Sequence, residues 1–343
     1  MQPQSKVVYN AQEIDFEKAG KSHYQIAFHL DSSWGYSLLP ITVINGTAPS
    51  TGQLKGLAAF GGTHGNEYEG QIAIKRLCLS LDPSQMRGRV ILIPQLSESA
   101  CRSHTRSSPE DGVNMNRAFP GRPAGTISYR IANFVKTKVF PQVGAIIDLH
   151  AGGREAVFPL CTSFHPLSDA ARYNETARVA ALFDTPFIFV YSRQMASGLL
   201  VDEAEDEGLI AVGGEFGHGE STSVQGVRHA YEGIQNVLRH YGLLDGEIKR
   251  IDETRASPPR LITAAELKDY IPSPSDGIWE PAVPIGGEVR QGELIGRIHQ
   301  FDDHVSSPHE VIAHKEGVVI AMYSAALCRK GATLYVIGEE IPS

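Results

Sequence analysis

Four short stretches of this sequence carry residues that could do chemistry together. The first, Gly61-Gly62-Thr63-His64-Gly65-Asn66-Glu67, directly follows the apolar run Leu57–Phe60. His64 and Glu67 stand three positions apart, so a loop entering a helix can turn both side chains toward one point. An imidazole nitrogen and a carboxylate oxygen are both good zinc ligands. A glycine-rich strand-to-helix turn whose polar residues only cap the helix would read the same way. The second stretch is Ile146-Ile147-Asp148-Leu149-His150-Ala151-Gly152-Gly153. It puts a histidine at the end of an apolar strand, where open α/β sheets gather their ligands, although a core histidine satisfied by a carbonyl fits there too. Together, two histidines and a glutamate leave the fourth position of a tetrahedral zinc for water, which is the catalytic rather than the structural pattern. Asp148 then either orients a ligand or helps the turn.

The third stretch, Ala211-Val212-Gly213-Gly214-Glu215-Phe216-Gly217-His218-Gly219, again ends an apolar strand. A carboxylate such as Glu215 beside activated water can take a proton and pass it to a leaving amine; the alternative is an exposed turn glutamate. His218 ranks below His150 as a ligand. The fourth is a long polar loop from Arg106 to Gly121 that contains Asn114-Met115-Asn116-Arg117. Arg117 can hold a carboxylate in a bidentate fork with Asn116 beside it, and Arg106 can polarise a carbonyl. Solvated loop arginines are the ordinary alternative.

These residues need a frame that places strand ends side by side. The runs YQIAFHL, ITVIN and LKGLAAF are β-prone, followed by a helix near Gly70–Ser80 and a strand at Val90–Ile93. A polar stretch Ser97–Pro123, a helix around Ser128–Lys138 and a strand at Val143–Leu149 come next. A helix near Leu167–Leu182, a strand at Pro186–Tyr191 and a helix and strand across Gly198–Val212 complete the pattern. Alternation of this kind gives an α/β fold, a mixed, mostly parallel sheet flanked by helices. After Ser257-Pro258-Pro259 the sequence turns to short strands and glycine-rich turns, as in Gly277–Pro281 and Gly286–Ile298, which suit a β-rich barrel or sandwich. We expect a catalytic unit over 1–255 and a β-rich accessory unit over 256–343.

Composition narrows the classes. The chain has 343 residues, a length that favours two domains. Its 31 basic and 39 acidic side chains give a net charge of −8, which repels phosphate backbones and speaks against nucleic acid. With 42% hydrophobic and 20% charged residues it can build a core. No apolar run is long enough to span a membrane, and MQPQSKVVYNAQEIDFEK lacks the basic-then-apolar order of a secretory signal. Cys78, Cys101, Cys161 and Cys328 form no C-x-x-C pair, so the expectation is a reduced, cytoplasmic protein.

The order H-x-x-E, N-R-x-F, a strand ending D-L-H and a strand ending in glutamate resembles the succinylglutamate desuccinylase/aspartoacylase family, a branch of the zinc carboxypeptidase-like fold. The resemblance runs over essentially the whole chain, C-terminal β-rich unit included. It implies one Zn2+ per chain held by His64, Glu67 and His150, with Glu215 as general base and acid. It also implies Asn116 and Arg117 on the substrate carboxylate and Arg106 on the developing oxyanion. The family's D-x-N-R reads Asn114-Met115-Asn116-Arg117 here. Aspartoacylases carry an arginine shortly before the catalytic glutamate to read an acidic substrate side chain. Here that stretch is Asp202-Glu203-Ala204-Glu205-Asp206-Glu207, which argues against releasing aspartate or glutamate. Such a run favours a cationic side chain, although acidic runs more commonly form a solvated helix face. The NMNRAFPG loop and the length look most like the subgroup that removes acetyl from N-acetyl-2,4-diaminobutyrate in ectoine breakdown.

The expected partner is therefore a small N-acyl amino acid, with no nucleic acid and no membrane. Alternatives are a deacylase of another N-acyl amino acid, a metallocarboxypeptidase, or a non-catalytic anion-binding protein using Gly61–Gly65. The pattern Gly-x-Val-x-x-Gly-x-x-Ile-Gly near residue 290 also resembles biotinyl and lipoyl carriers, but His299–His309 holds no lysine and Lys315 is poorly placed. The C-terminal unit is expected to limit access to the site or to build a homo-oligomer interface.

Overall fold

The computed structural model of the chain describes residues 5–31, 34–48, 53–301 and 305–342. The first four residues of the N-terminal segment and residues 302–304 of the His299–His309 tip lie outside these. The first strands are β1 (Lys6–Val8), β2 (Gly20–His29), β3 (Tyr36–Asn45), β4 (Gly56–Gly61), β5 (Arg89–Ile93) and β6 (Ala145–His150). Then come β7 (Ala156–Val157), β8 (Cys161–Phe164), β9 (Phe187–Tyr191), β10 (Ile210–Glu215) and β11 (Arg260–Ala264). The last are β12 (Tyr270–Pro272), β13 (Gly277–Pro281), β14 (Glu288–Val289), β15 (Leu294–His299), β16 (His309–Ile312), β17 (Gly317–Tyr323), β18 (Leu327–Cys328) and β19 (Thr333–Ile341). The helices are α1 (Glu69–Ser80), α2 (Glu98–Ser103), α3 (Ile127–Phe134), α4 (Ala170–Ala181), α5 (Leu200–Asp206) and α6 (Val224–His240).

One sheet runs in the order β1-β2-β3-β5-β4-β6-β10-β8-β9-β11-β19-β17-β14. Its centre is parallel: β4 pairs with β5 and β6, and β6 with β10. The reason lies in the side-chain period of two. Ala58, Phe60, Ile91, Ile93 and Ile146 pack into a core on one face, with α3 and α5. Leu57, Ala59, Val90, Leu92, Ala145 and Ile147 pack into a second core on the other, with α1, α4 and α6. Both faces are dry, so the strands read as unbroken apolar runs rather than alternating ones. Each fully buried Leu, Ile or Phe contributes about 1.5–3 kcal/mol.

Several expectations shift in detail. The polar stretch after Ser97 holds α2, and the helix expected to Lys138 opens at Val135–Val139 into a π-type turn. The longest helix, α6, was not anticipated. Gly226 and Gly233 dilute its apolar pattern, and each is needed for close approach: a Cβ on Gly226 would lie 1.7 Å from the Phe216 carbonyl oxygen, and one on Gly233 2.2 Å from the Phe183 ring. The acidic run in α5 is corrected by half: Asp206 and Glu207 are exposed, whereas Asp202 and Glu205 are buried.

The C-terminal strands form the expected β-rich layer. A sheet of β16-β15-β13-β18 faces β12, β19, β17 and β14, with Trp279, Ile295, Ile298, Tyr335 and Ile337 between them. Through β11 this unit also joins strand β9. Lys315 is ion-paired with Asp269 at 2.6 Å and Glu339 at 2.8 Å, so it is not the free lysine of a carrier hairpin. No helix among the described residues is long and apolar enough to cross a membrane.

Candidate active site and metal centre

Three adjacent parallel strands, β4, β6 and β10, end at the same edge of the sheet. Gly61 pairs with Leu149, and Glu215 pairs in register with His150. That edge is where an open α/β sheet leaves a crevice. The loop after β4 brings His64 and Glu67 over it, and close packing fixes the loop: a Cβ on Gly65 would sit 2.1 Å from the Ala100 backbone.

The expected ligands converge. His64 Nδ1 lies 2.8 Å from Glu67 Oε1, and His150 Nδ1 lies 3.0 Å from Glu67 Oε2. Ligand atoms of all three residues fall within 4.8 Å of one another. The outer nitrogens are held as well: Asn114 Oδ1 is 3.0 Å from His64 Nε2, and Asp148 Oδ2 is 2.8 Å from His150 Nε2. Thr63 donates to the other Asp148 oxygen at 2.7 Å. Asp148 therefore orients His150, the first of its two expected alternatives. Asn114, left without a role by its departure from the family's aspartate, contacts His64. Two borderline nitrogen donors and one carboxylate are a donor set that suits zinc.

Charge at the centre is strongly perturbed. Burial opposes ionisation of Glu67, and the two imidazoles outweigh it, holding the carboxyl below the ordinary range. Burial also lowers the pKa of His64. At His150 the carboxylates of Asp148 and Glu67 override burial and raise the imidazole well above its usual value. Glu215 is pushed up to about 8, first by burial and then by the charge of Glu67. Its Oε2 is buried with no hydrogen-bond partner. An orphaned buried carboxyl oxygen calls for a partner, and its side chain lines a cavity.

That cavity, of about 270 Å³, is lined by the three candidate ligands, Glu215, Arg106, Asn116 and Arg117, so every expected site residue reaches one space. Arg106 Nη1 donates to Glu67 Oε1 at 3.0 Å. The Asn116 amide is fixed from behind, its Oδ1 accepting from Leu200 N at 2.9 Å at the start of α5. Arg117 Nη1 donates to the Asn116 carbonyl at 2.6 Å. His218 is exposed on the loop after β10 and takes no part. Sequence reasoning missed Glu155, Phe158 and Tyr191 in the lining. Tyr191 had a signal, as the last residue of an apolar strand; Glu155 had none. A larger open groove lies over the C-terminal unit, but its charges pair among themselves, as in Arg260–Glu340 at 2.6 Å.

A second cluster, His165, Asp202 and Glu205, sits outside the lining of the cavity. His165 Nδ1 is 2.9 Å from Glu205 Oε2, and Arg193 Nε is 3.5 Å from Asp202 Oδ1. The His165 ring packs edge-on against Tyr191, with centroids 4.3 Å apart. Burial raises the Tyr191 phenol well above its ordinary pKa, and the carboxylates of Glu205 and Asp202 add to it.

Fold and site together define a mixed α/β amidohydrolase with a candidate metal centre at the carboxyl edge of its sheet. A model of the succinylglutamate desuccinylase/aspartoacylase catalytic domain matches residues 53–241, and the chain belongs to that family. It is 32% identical, over 96% of its length and 95% of the relative's, to an N-alpha-acetyl-L-2,4-diaminobutyric acid deacetylase of Halomonas elongata. A succinylglutamate desuccinylase/aspartoacylase structure from Rhodobacter sphaeroides superposes with TM-score 0.89 at 32% identity, covering 96% of this chain and 98% of that one. The product-bound ectoine utilization protein EutE (DoeB) of Ruegeria pomeroyi gives TM-score 0.86 at 30% identity, covering 95% and 98%.

Proposed function

We propose that this enzyme is a zinc-dependent deacylase of a small N-acyl amino acid, with N-acetyl-L-2,4-diaminobutyrate as its best substrate. The observation that carries the reading is the convergence of His64, Glu67 and His150 in one small cavity beside Glu215, one of whose carboxyl oxygens is buried without a partner. The three ligands would hold one zinc ion, which supplies Lewis acidity and makes water acidic near neutral pH. Glu215 takes the proton from the attacking water and delivers it to the amine as the C–N bond breaks. Arg117, with Asn116, holds the substrate carboxylate through charge-assisted bonds. Arg106 donates to the acyl oxygen as negative charge develops there.

For the substrate, support comes from the Halomonas relative and from the surroundings of Tyr191. Buried Asp202 and Glu205 lie behind Tyr191, offset in part by Arg193 and His165, and with Asp206 leave an acidic surplus that disfavours an anionic side chain. Residues 1–255 would form the catalytic unit and 256–343 the β-rich accessory. The four free cysteines fit a reducing cytoplasm.

The test is metal analysis combined with a screen of N-acetyl, N-succinyl and N-formyl amino acids. The expected result is one zinc per chain and preferred release of acetate from the cationic substrate. Glu215→Gln should keep its zinc and lose at least about a hundredfold in kcat, the scale of a lost general base. Full activity in metal-free protein, or unchanged turnover by the variant, overturns the mechanism. Preferred cleavage of peptides with free C-termini would instead indicate a metallocarboxypeptidase.

A further inference from the structure

The Arg106 guanidinium has a hydrogen bond at one nitrogen and an ion-pair contact at a second. Nη1 donates to Glu67 Oε1 at 3.0 Å, and Nε lies 3.3 Å from Glu155 Oε2. Nη2 has no acceptor among the described residues. Arginine presents its five donors in a rigid planar fork. The Nη1 hydrogen bond and the ion pair at Nε together bias the direction of the two Nη2 protons, in a side chain that lines the reaction cavity.

Glu155 lies 49 positions further along the chain and lines the same cavity beside Arg106. It sits in a tight turn in which Glu155 N and Ala156 N both donate to the Gly152 carbonyl, at 3.2 and 3.1 Å. A Cβ on Gly152 would lie 1.9 Å from the Ala156 carbonyl oxygen, so the turn needs glycine. The turn runs into β7, which is a two-residue strand and could not hold itself in place. It is secured by β17 from the C-terminal unit: Tyr323 pairs with Ala156 and Met322 with Val157. Ser324 extends the attachment, its N–H donating to the Glu155 carbonyl at 3.4 Å and its hydroxyl to the Arg154 carbonyl.

We propose that Glu155 is a positioning residue for Arg106, its backbone held in place by β17 and its carboxylate turning the guanidinium so that Nη2 meets the acyl oxygen of the substrate. The inference rests on the reading of Arg106 as donor to that oxygen. It gives the C-terminal unit a defined part in the reaction, as the support for one rim of the site. The Glu155 side chain is 58% exposed, so the ion pair itself adds little stability. Its effect is orientation, and orientation should appear in turnover.

The experiment compares Glu155→Ala, Glu155→Gln, Arg106→Lys and the double variant Glu155→Ala/Arg106→Lys in the zinc-loaded full chain. Glu155→Ala should lose about tenfold in kcat, with KM changed by no more than about twofold, the pattern of a misaimed donor. Melting temperature and calorimetric affinity for the amino-acid product should match the wild type. Glu155→Gln keeps an acceptor and should recover most of the loss. Adding Glu155→Ala to Arg106→Lys should change kcat little, because a lysine offers no fork to aim. Unchanged kcat in Glu155→Ala, or an equal loss on both backgrounds, overturns the positioning role and leaves the Arg106 reading intact. Wild-type kcat in Arg106→Lys removes that reading itself, and the inference with it.

Discussion

Asp148 Oδ2 lies 2.8 Å from His150 Nε2, two residues back along the same strand. Residues i and i+2 of a strand share a face, so β6 carries both the candidate ligand and the group that orients it. The strand's regular pleat, rather than a loop, sets the angle of the imidazole. Asp148→Asn should weaken zinc binding about 10–100-fold with the fold intact, as loss of an orienting carboxylate commonly does. Chelator competition with a zinc-responsive dye measures this, and unchanged affinity would remove Asp148 from the centre.

The buried carboxylates near Tyr191 make a prediction about selectivity. Asp202→Asn should lower the ratio of kcat/KM for N-acetyl-2,4-diaminobutyrate over N-acetylnorvaline, its neutral isostere, about fivefold. That corresponds to roughly 1 kcal/mol, the size of a charge interaction acting across an intervening ring in a partly screened site. Both substrates falling equally would mean that Asp202 only supports the fold.

Asp111 ties the polar loop to α3. Its carboxylate accepts from Thr126 Oγ1 at 2.7 Å, and from Ser128 N and Oγ at 3.0 Å each. Partial burial opposes its charge, but these donors outweigh burial and hold the carboxyl below its ordinary range. A depressed folded-state pKa stabilises above the unfolded value, about 3.9, and the gain is lost as pH falls through the lower folded value. Wild type should exceed Asp111→Asn by about 1–2 kcal/mol near neutral pH. Urea melts at a series of pH values should show that gap closing below about pH 4; a constant gap would assign the effect to shape.

Gly65→Ala tests the packing that seats His64. With a Cβ only 2.1 Å from the Ala100 backbone, either α2 or the metal loop must move. We expect a loss of about 1–3 kcal/mol in stability together with weakened metal binding. Denaturant midpoints near wild type would show that the loop yields freely.

Much of this protein was decided locally. The apolar runs of β4, β6 and β10 and the helical spacing of α1 are properties of neighbouring residues, so the sequence alone determined the α/β core. It also determined the candidate site residues, because His64 and Glu67 follow a strand, His150 and Glu215 end one, and strand ends are where such folds leave a crevice. The β-rich C-terminal unit was equally plain from its turns. What only the tertiary structure decided depends on residues far apart in the chain. Asn114 reaches His64 across 50 positions and Arg106 is 49 positions from Glu155, separations at which no local preference operates. Asp202 and Asp206 lie on one short helix with the same charge, yet one is buried and the other exposed. Arg193 contacts both, so their difference comes from His165 and the sheet against which α5 packs. Glycines blurred the pattern of α6 for the same reason: Gly226 and Gly233 are set by Phe216 and Phe183, contacts that exist only once the chain has folded.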